Sequence, residues 1–140
     1  MVQRKLEKDL YKGLRIHLSP ESSAGWLRIE AKQPLGMPDL LIMERGKIVL
    51  VELKVVREGV KVRLSPHQVA FADRSARLGV PVYLLVQHWP KEVFRAGDST
   101  VFAYKAAQMV EVAQKGLSVR AWMHWALKDA KGLHEFLKSV

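Results

Sequence analysis

The chain has no cysteine among its 140 residues. That excludes a disulfide framework, a thiolate zinc site and a cysteine nucleophile together. It also lacks any apolar run near the roughly 20 residues that a membrane-spanning helix needs. Its opening stretch, MVQRKLEKDLYKG, is charged throughout and has no apolar segment of the signal-peptide kind. A soluble, cytoplasmic protein is therefore expected. No internal repeat, low-complexity tract or Pro/Gly/Ser linker divides the chain, so residues 1–140 are read as one domain. The phosphate loops GxxxxGKS and GxGxxG and the nucleophile elbow GxSxG are all missing. The five histidines, at 17, 67, 88, 124 and 134, show no metal-binding spacing.

Acidic residues are scarce. There are 14 Asp and Glu against 23 Lys and Arg, for a net charge of +9 and a pI near 10.0. Residues 1–64 hold 13 basic and 8 acidic side chains and the remainder 10 and 6, so the excess is spread over the domain. Such a balance draws a small domain toward polyanions and supports nucleic acid binding, though weakly by itself. At 49% hydrophobic, the chain has enough apolar material for a core.

Leu6, Leu10 and Leu14 recur every fourth residue and predict an N-terminal helix. Residues 26–31 alternate as a strand. Residues 38–43 and 47–55 are two further strands, joined by a turn at Arg45 and Gly46, where glycine supplies a positive φ. Ser65, Pro66 and Gln68 mark a helix start with a capping box, and Gly79 marks its end. The apolar run 80–86 reads as a strand buried on both faces, reached by a right-handed parallel crossover. Residues 100–104 are a further strand, 105–115 a helix ending at Gly116, and 121–137 a final helix carrying Trp122, Trp125 and Phe136. The expected class is α/β: a mixed sheet flanked by helices, with a core over about 1–87 and a C-terminal extension over about 88–140.

The chemistry sits in the hairpin. If Arg45 and Gly46 form its loop, Glu44 faces Lys47, and counting outward places Asp39 opposite Glu52. Alternation puts Lys54 on the same face as Glu52. Two facing carboxylates repel. In the apolar stretch Val51-Glu52-Leu53-Lys54-Val55, leaving them uncompensated costs several kcal/mol each, as a rough estimate. A divalent cation compensates them, and a hard ion such as Mg²⁺ favours oxygen donors and keeps waters for hydrolysis. Asp39 and Glu52 are thus candidate metal ligands, with the Leu53 carbonyl as a third. Lys54 is a candidate to orient the attacking water or to stabilise charge on a phosphoryl group. Singly, an Asp after Pro is usually a turn residue and a Glu-x-Lys an ion-paired edge. Their matched positions within an apolar strand weaken that plain explanation.

Three segments, Gly36-Met37-Pro38-Asp39, Val51-Glu52-Leu53-Lys54 and Leu64-Ser65-Pro66-His67-Gln68, follow one another in this order. The chain thereby resembles the PD-(D/E)xK nuclease superfamily and is similar to its VRR-NUC branch, which shares a core with the archaeal Holliday-junction resolvases. The resemblance covers roughly residues 1–87. It implies a restriction-endonuclease-like α-β-β-β-α-β core, Mg²⁺ or Mn²⁺, and a DNA substrate, often branched. It also implies a homodimer, since two symmetric cuts need two sites, and a bacterial or phage-infected cell as the setting.

The resemblance further implies an acidic residue on the first helix, for which Glu7 is the candidate and Glu30 and Glu21 are rivals. An exposed Glu7 paired with Arg4 or Tyr11 is an equally good reading. The resemblance also points Gln68 toward the site, whereas its residue context assigns it to the capping box with Ser65. One side chain is not expected to serve both fully. Arg57, Lys61, Arg63, Arg74 and Arg77 are candidate DNA-binding residues. The first three lie on what reads as a mobile basic loop, and an ordinary solvated loop is the default for each. Trp122 and Trp125 are expected in the core, with base stacking or a dimer interface as alternatives. The function expected is a metal-dependent endonuclease. The alternatives are a flap, nick or duplex-end nuclease with the same site, and a non-catalytic basic DNA-binding module.

Overall fold

The computed structural model describes residues 2–18, 25–29 and 36–140. It is an α/β fold built on one six-stranded mixed sheet whose strands lie side by side in chain order. Helix α1 (Val2–Arg15) runs before β1 (Trp26–Arg28), β2 (Leu40–Glu44) and β3 (Lys47–Val56). Helix α2 (Pro66–Leu78) leads to β4 (Val82–His88), and then come β5 (Thr100–Lys105), α3 (Met109–Lys115), β6 (Met123–Ala126) and α4 (Ala130–Ser139). Among the described residues, no helix is long and apolar enough to cross a membrane.

The β2–β3 turn explains the hairpin's register. Arg45 and Gly46 have φ of 52° and 77°, the two positive values that a two-residue type I′ turn requires. Glu44 then faces Lys47, and the ladder runs on to Leu40 opposite Val51, which is the register expected. β2 stops at Leu40 while β3 continues to Val56. The far end of β3 therefore has no strand on one side. α1 lies over that open edge, and its Gln3 Nε2 donates to the Val55 carbonyl at 2.9 Å.

β3 and β4 are parallel, as the crossover through α2 demands. The Ser65 hydroxyl accepts from the Gln68 amide, the Gln68 side chain caps Ser65 in return, and Gly79 closes the helix at φ 73°. Both faces of the sheet are covered. α1 and α4 place Leu10, Leu14, Leu133 and Phe136 against Val51, Leu53 and Leu85 on one face. On the other, α2 and α3 place Ala72, Met109 and Val112 against Leu84, Val86 and Tyr104.

The C-terminal third departs from expectation. Residues 121–137 are not one helix. Met123–Ala126 form β6, antiparallel to β5, and α4 begins only at Ala130, where the Asp129 side chain caps the Lys131 amide. Trp125 alternates inward and His124 outward, as strand residues do. The bare edge of β5 supplies hydrogen bonds that outweigh helical propensity over so short a stretch. α4 then packs hard on β6: a Cβ on Gly132 would lie 2.2 Å from that of Trp125. Trp122 and Trp125 do join the core cluster, Trp125 buried and Trp122 half-buried. The helix expected over 105–115 is split, a 3-10 turn at Ala106–Gln108 preceding α3. Residues 30 and 31, the end of the first expected strand, lie outside the described residues.

Candidate active site

Carried two residues past Leu40, the hairpin register sets Asp39 opposite Glu52 and Pro38 opposite Leu53. Leu53 occupies a hydrogen-bonding position of the ladder, but proline has no N–H to give its carbonyl. The Leu53 N–H turns instead to the Asp39 side chain, donating to Oδ2 at 2.9 Å. N–H and C=O of one strand residue leave by the same edge. The Leu53 carbonyl therefore points out beside the Asp39 carboxylate.

On the face toward α2, Glu52 is only 3% exposed and lies beside Asp39. The Lys54 ammonium lies 3.7 Å from Glu52 Oε2. Burial, then the charge of Asp39, pushes the Glu52 carboxyl up to about 10 against the opposing pull of Lys54. The same causes that disfavour charge on Glu52 would be offset by a cation placed beside it.

Gln68 corrects an expectation. Its Oε1 accepts from the Ser65 amide at 3.0 Å, and its Nε2 donates to Glu52 Oε2 at 3.1 Å. Capping needs the acceptor end of the side-chain amide and the site needs the donor end, so one glutamine serves both roles. Gly36 fixes the distance between these pieces. At φ +86° it lies so close to the first turn of α2 that a Cβ would fall 2.3 Å from the His67 carbonyl oxygen.

Glu7 also reaches the cluster. Its carboxyl is raised, first by burial and also by the charge of Asp39, against the pull of Lys54. Glu7 is thus the acidic residue α1 brings to the site, while Glu30 and Glu21 lie outside the described residues. Gln3, one turn before Glu7, was not anticipated. It ties α1 to the open edge of β3, and its i, i+4 spacing from Glu7 was the available signal.

A cleft of about 550 Å³ adjoins the carboxylates, with Lys54, Lys61, Arg63, Ser65 and Gln68 in its wall. The structure thus brings two of the candidate DNA-binding residues, Lys61 and Arg63, to the site. Arg57 stacks its guanidinium on Trp89 at 4.1 Å. Arg77 is ion-paired with Asp73 one turn away, and neither it nor the exposed Arg74 belongs to the cleft wall. The loop expected to be mobile is pinned: Val62 is buried, and the Leu117 amide donates to the Val60 carbonyl at 2.8 Å.

Among the described residues, no three His, Cys, Asp or Glu side chains cluster as a ready-made metal cage. Two carboxylates with a neighbouring main-chain carbonyl instead suit a hard divalent ion that retains several waters. The chain matches no protein-family model and no curated protein.

Proposed function

We propose that this chain is a Mg²⁺- or Mn²⁺-dependent DNA endonuclease of the PD-(D/E)xK type, with a VRR-NUC-like, restriction-endonuclease-like core formed by α1 through β4. The observation that carries the reading is the buried Glu52 carboxyl beside Asp39, with the Lys54 ammonium 3.7 Å from Glu52. The α-β-β-β-α-β order of α1 through β4 and the parallel β3–β4 pairing support it.

Asp39, Glu52 and the Leu53 carbonyl would hold the ion. When bound, it supplies acidity to a water and positive charge beside the scissile phosphate. Gln68 fixes the Glu52 carboxylate from one side, and the Leu53 amide fixes Asp39 from the other. Lys54 Nζ, mostly buried, is free to donate to the attacking water or to a phosphate oxygen, where a low dielectric strengthens its effect. Lys61 and Arg63 extend that positive wall along the cleft and suit the neighbouring phosphates of the strand.

Branched DNA is the substrate we favour, cut by a homodimer that presents two sites to two strands. An apolar strip on the sheet face, Leu27, Met43 and Ile48, is about half exposed and supports self-association. The test is cleavage of four-way, flap, nicked and linear DNA in Mg²⁺, in Mn²⁺ and in EDTA, beside Glu52→Gln. Cutting that needs the metal and Glu52, and is fastest on four-way DNA, is expected. Activity that persists in EDTA would reject the mechanism, and equal cutting of all forms would reject the junction preference.

A further inference from the structure

Phe94 is the most exposed large apolar side chain among the described residues, at 94%, yet the loop that carries it is braced on every side. The Trp89 amide donates to the Val56 carbonyl at 2.9 Å, tying the start of the loop to the end of β3. The Trp89 indole N–H donates to the Val93 carbonyl at 2.7 Å, and the Val93 amide to the Pro90 carbonyl at 2.9 Å. Arg57 stacks over the Trp89 ring, and Lys91 pairs with Glu58 at 2.5 Å. Beyond Phe94, the Asp98 amide donates to the Arg95 carbonyl at 3.0 Å. The backbone on either side of Phe94 is thus tied down, while its ring stands in water and gains nothing from the fold.

Its place is informative. β3 and β4 end side by side, Val56 beside His88, and Val56 lies about 7 Å along the strand from Lys54. The loop thus grows from the end of the sheet that carries the carboxylates. Its surroundings are cationic: residues 57–63 and 89–95 contain Arg57, Lys61, Arg63, Lys91 and Arg95 against Glu58 and Glu92. An exposed aromatic on a braced loop among cations suits a ligand that is flat, apolar on its faces and linked by anions. Unpaired nucleobases meet that description, because every base has a stacking face and its phosphates seek the cations.

We infer that Phe94 stacks on an unpaired base where duplex DNA opens, and so selects forked or branched DNA for the neighbouring site. The inference rests on the nuclease reading for its substrate, and it names the structural feature of that substrate which is recognised.

The test measures binding in EDTA, without cleavage, of a fork with two unpaired arms and of a fully paired duplex of equal length. The intact chain is expected to prefer the fork. Phe94→Ala should weaken fork binding about tenfold and narrow the preference with an unchanged melting temperature. Phe94→Trp should restore it, and Phe94→Leu should not. Equal fork binding by Phe94→Ala, full restoration by leucine, absence of DNA binding or absence of a fork preference would each overturn the inference. So would a change of oligomeric state in Phe94→Ala by light scattering, which would assign the ring to a protein contact. Cleavage assayed in parallel separates the two readings. Phe94-dependent fork binding without cutting defeats the nuclease reading alone, and cutting with fork binding indifferent to Phe94 defeats this inference alone.

Discussion

Removing the charge of Glu52 should change how stability depends on pH, in a direction the site dictates. In the folded, metal-free chain this carboxyl is pushed up to about 10 from an ordinary 4.5, first by burial and then by Asp39. Between those values the native form holds a proton that the unfolded chain releases. The contribution of Glu52 to stability is therefore most favourable below pH 4.5 and is lost as pH rises toward 10. One extra bound proton corresponds to about 1.4 kcal/mol per pH unit, or about 3 kcal/mol between pH 6 and 8. For a domain of this size that is a fall of roughly 10 °C in melting temperature. Glu52→Gln keeps the hydrogen-bonding shape without the titration, so its melting curves in EDTA should lose that slope. The difference between the two proteins isolates Glu52 from the general relief of positive charge as pH approaches the pI. Saturating Mn²⁺ should reverse the trend, because the ion binds the deprotonated pair and protects it better at pH 8 than at pH 6. Parallel melting-temperature profiles for the two proteins in EDTA would refute the raised carboxyl of buried Glu52.

Gln68→Ala should weaken Mn²⁺ affinity by about 10- to 100-fold through loss of the contact that orients Glu52. Ser65→Ala should cost about 1 kcal/mol of capping energy with a much smaller effect on the metal, so calorimetric titration of both separates the two roles of the glutamine. Gly36→Ala should destabilise by about 2–3 kcal/mol in urea titrations, since it meets both a positive φ and the backbone of α2. Gly46→Ala, at a turn with open space around it, should cost only about 1 kcal/mol. Pro38→Ala returns an N–H opposite Leu53. It should lower Mn²⁺ affinity about tenfold if the Leu53 carbonyl is a ligand, and unchanged affinity would remove that carbonyl from the site.

The centre of the molecule was legible because its signals are local and agree. Arg45-Gly46 sets the turn, the turn sets the register, and the register brings Asp39 to Glu52. Ser65, Pro66 and Gln68 announce α2 within four residues. The C-terminal third was not legible, because Met123-His124-Trp125-Ala126 is too short to reveal its period. Its state depends on an edge of β5 that no local pattern shows. The one signal that would have placed α4 correctly was Asp129 as an N-cap. Gln3 and Phe94 were not legible for a different reason. Gln3 offers only its i, i+4 spacing from Glu7, a phenylalanine in a loop carries no pattern, and their roles appear as distances and exposure.

The site itself forms where the sheet is interrupted. A continued β2–β3 ladder would satisfy both polar groups of Leu53 and leave nothing for a ligand. Pro38 stops the ladder by withholding one donor, and Asp39 takes the amide that the break strands. The same residue pair therefore ends a strand, orients a carboxylate and frees a carbonyl. Gln3 seals the next carbonyl along, Val55, which confines the opening to Leu53. A buried carboxyl is costly, but here the two facing carboxyls are each held by a donor from a different element: Asp39 by β3 and Glu52 by α2. Carboxyls held from two elements in this way would accept an ion with little rearrangement of the chain.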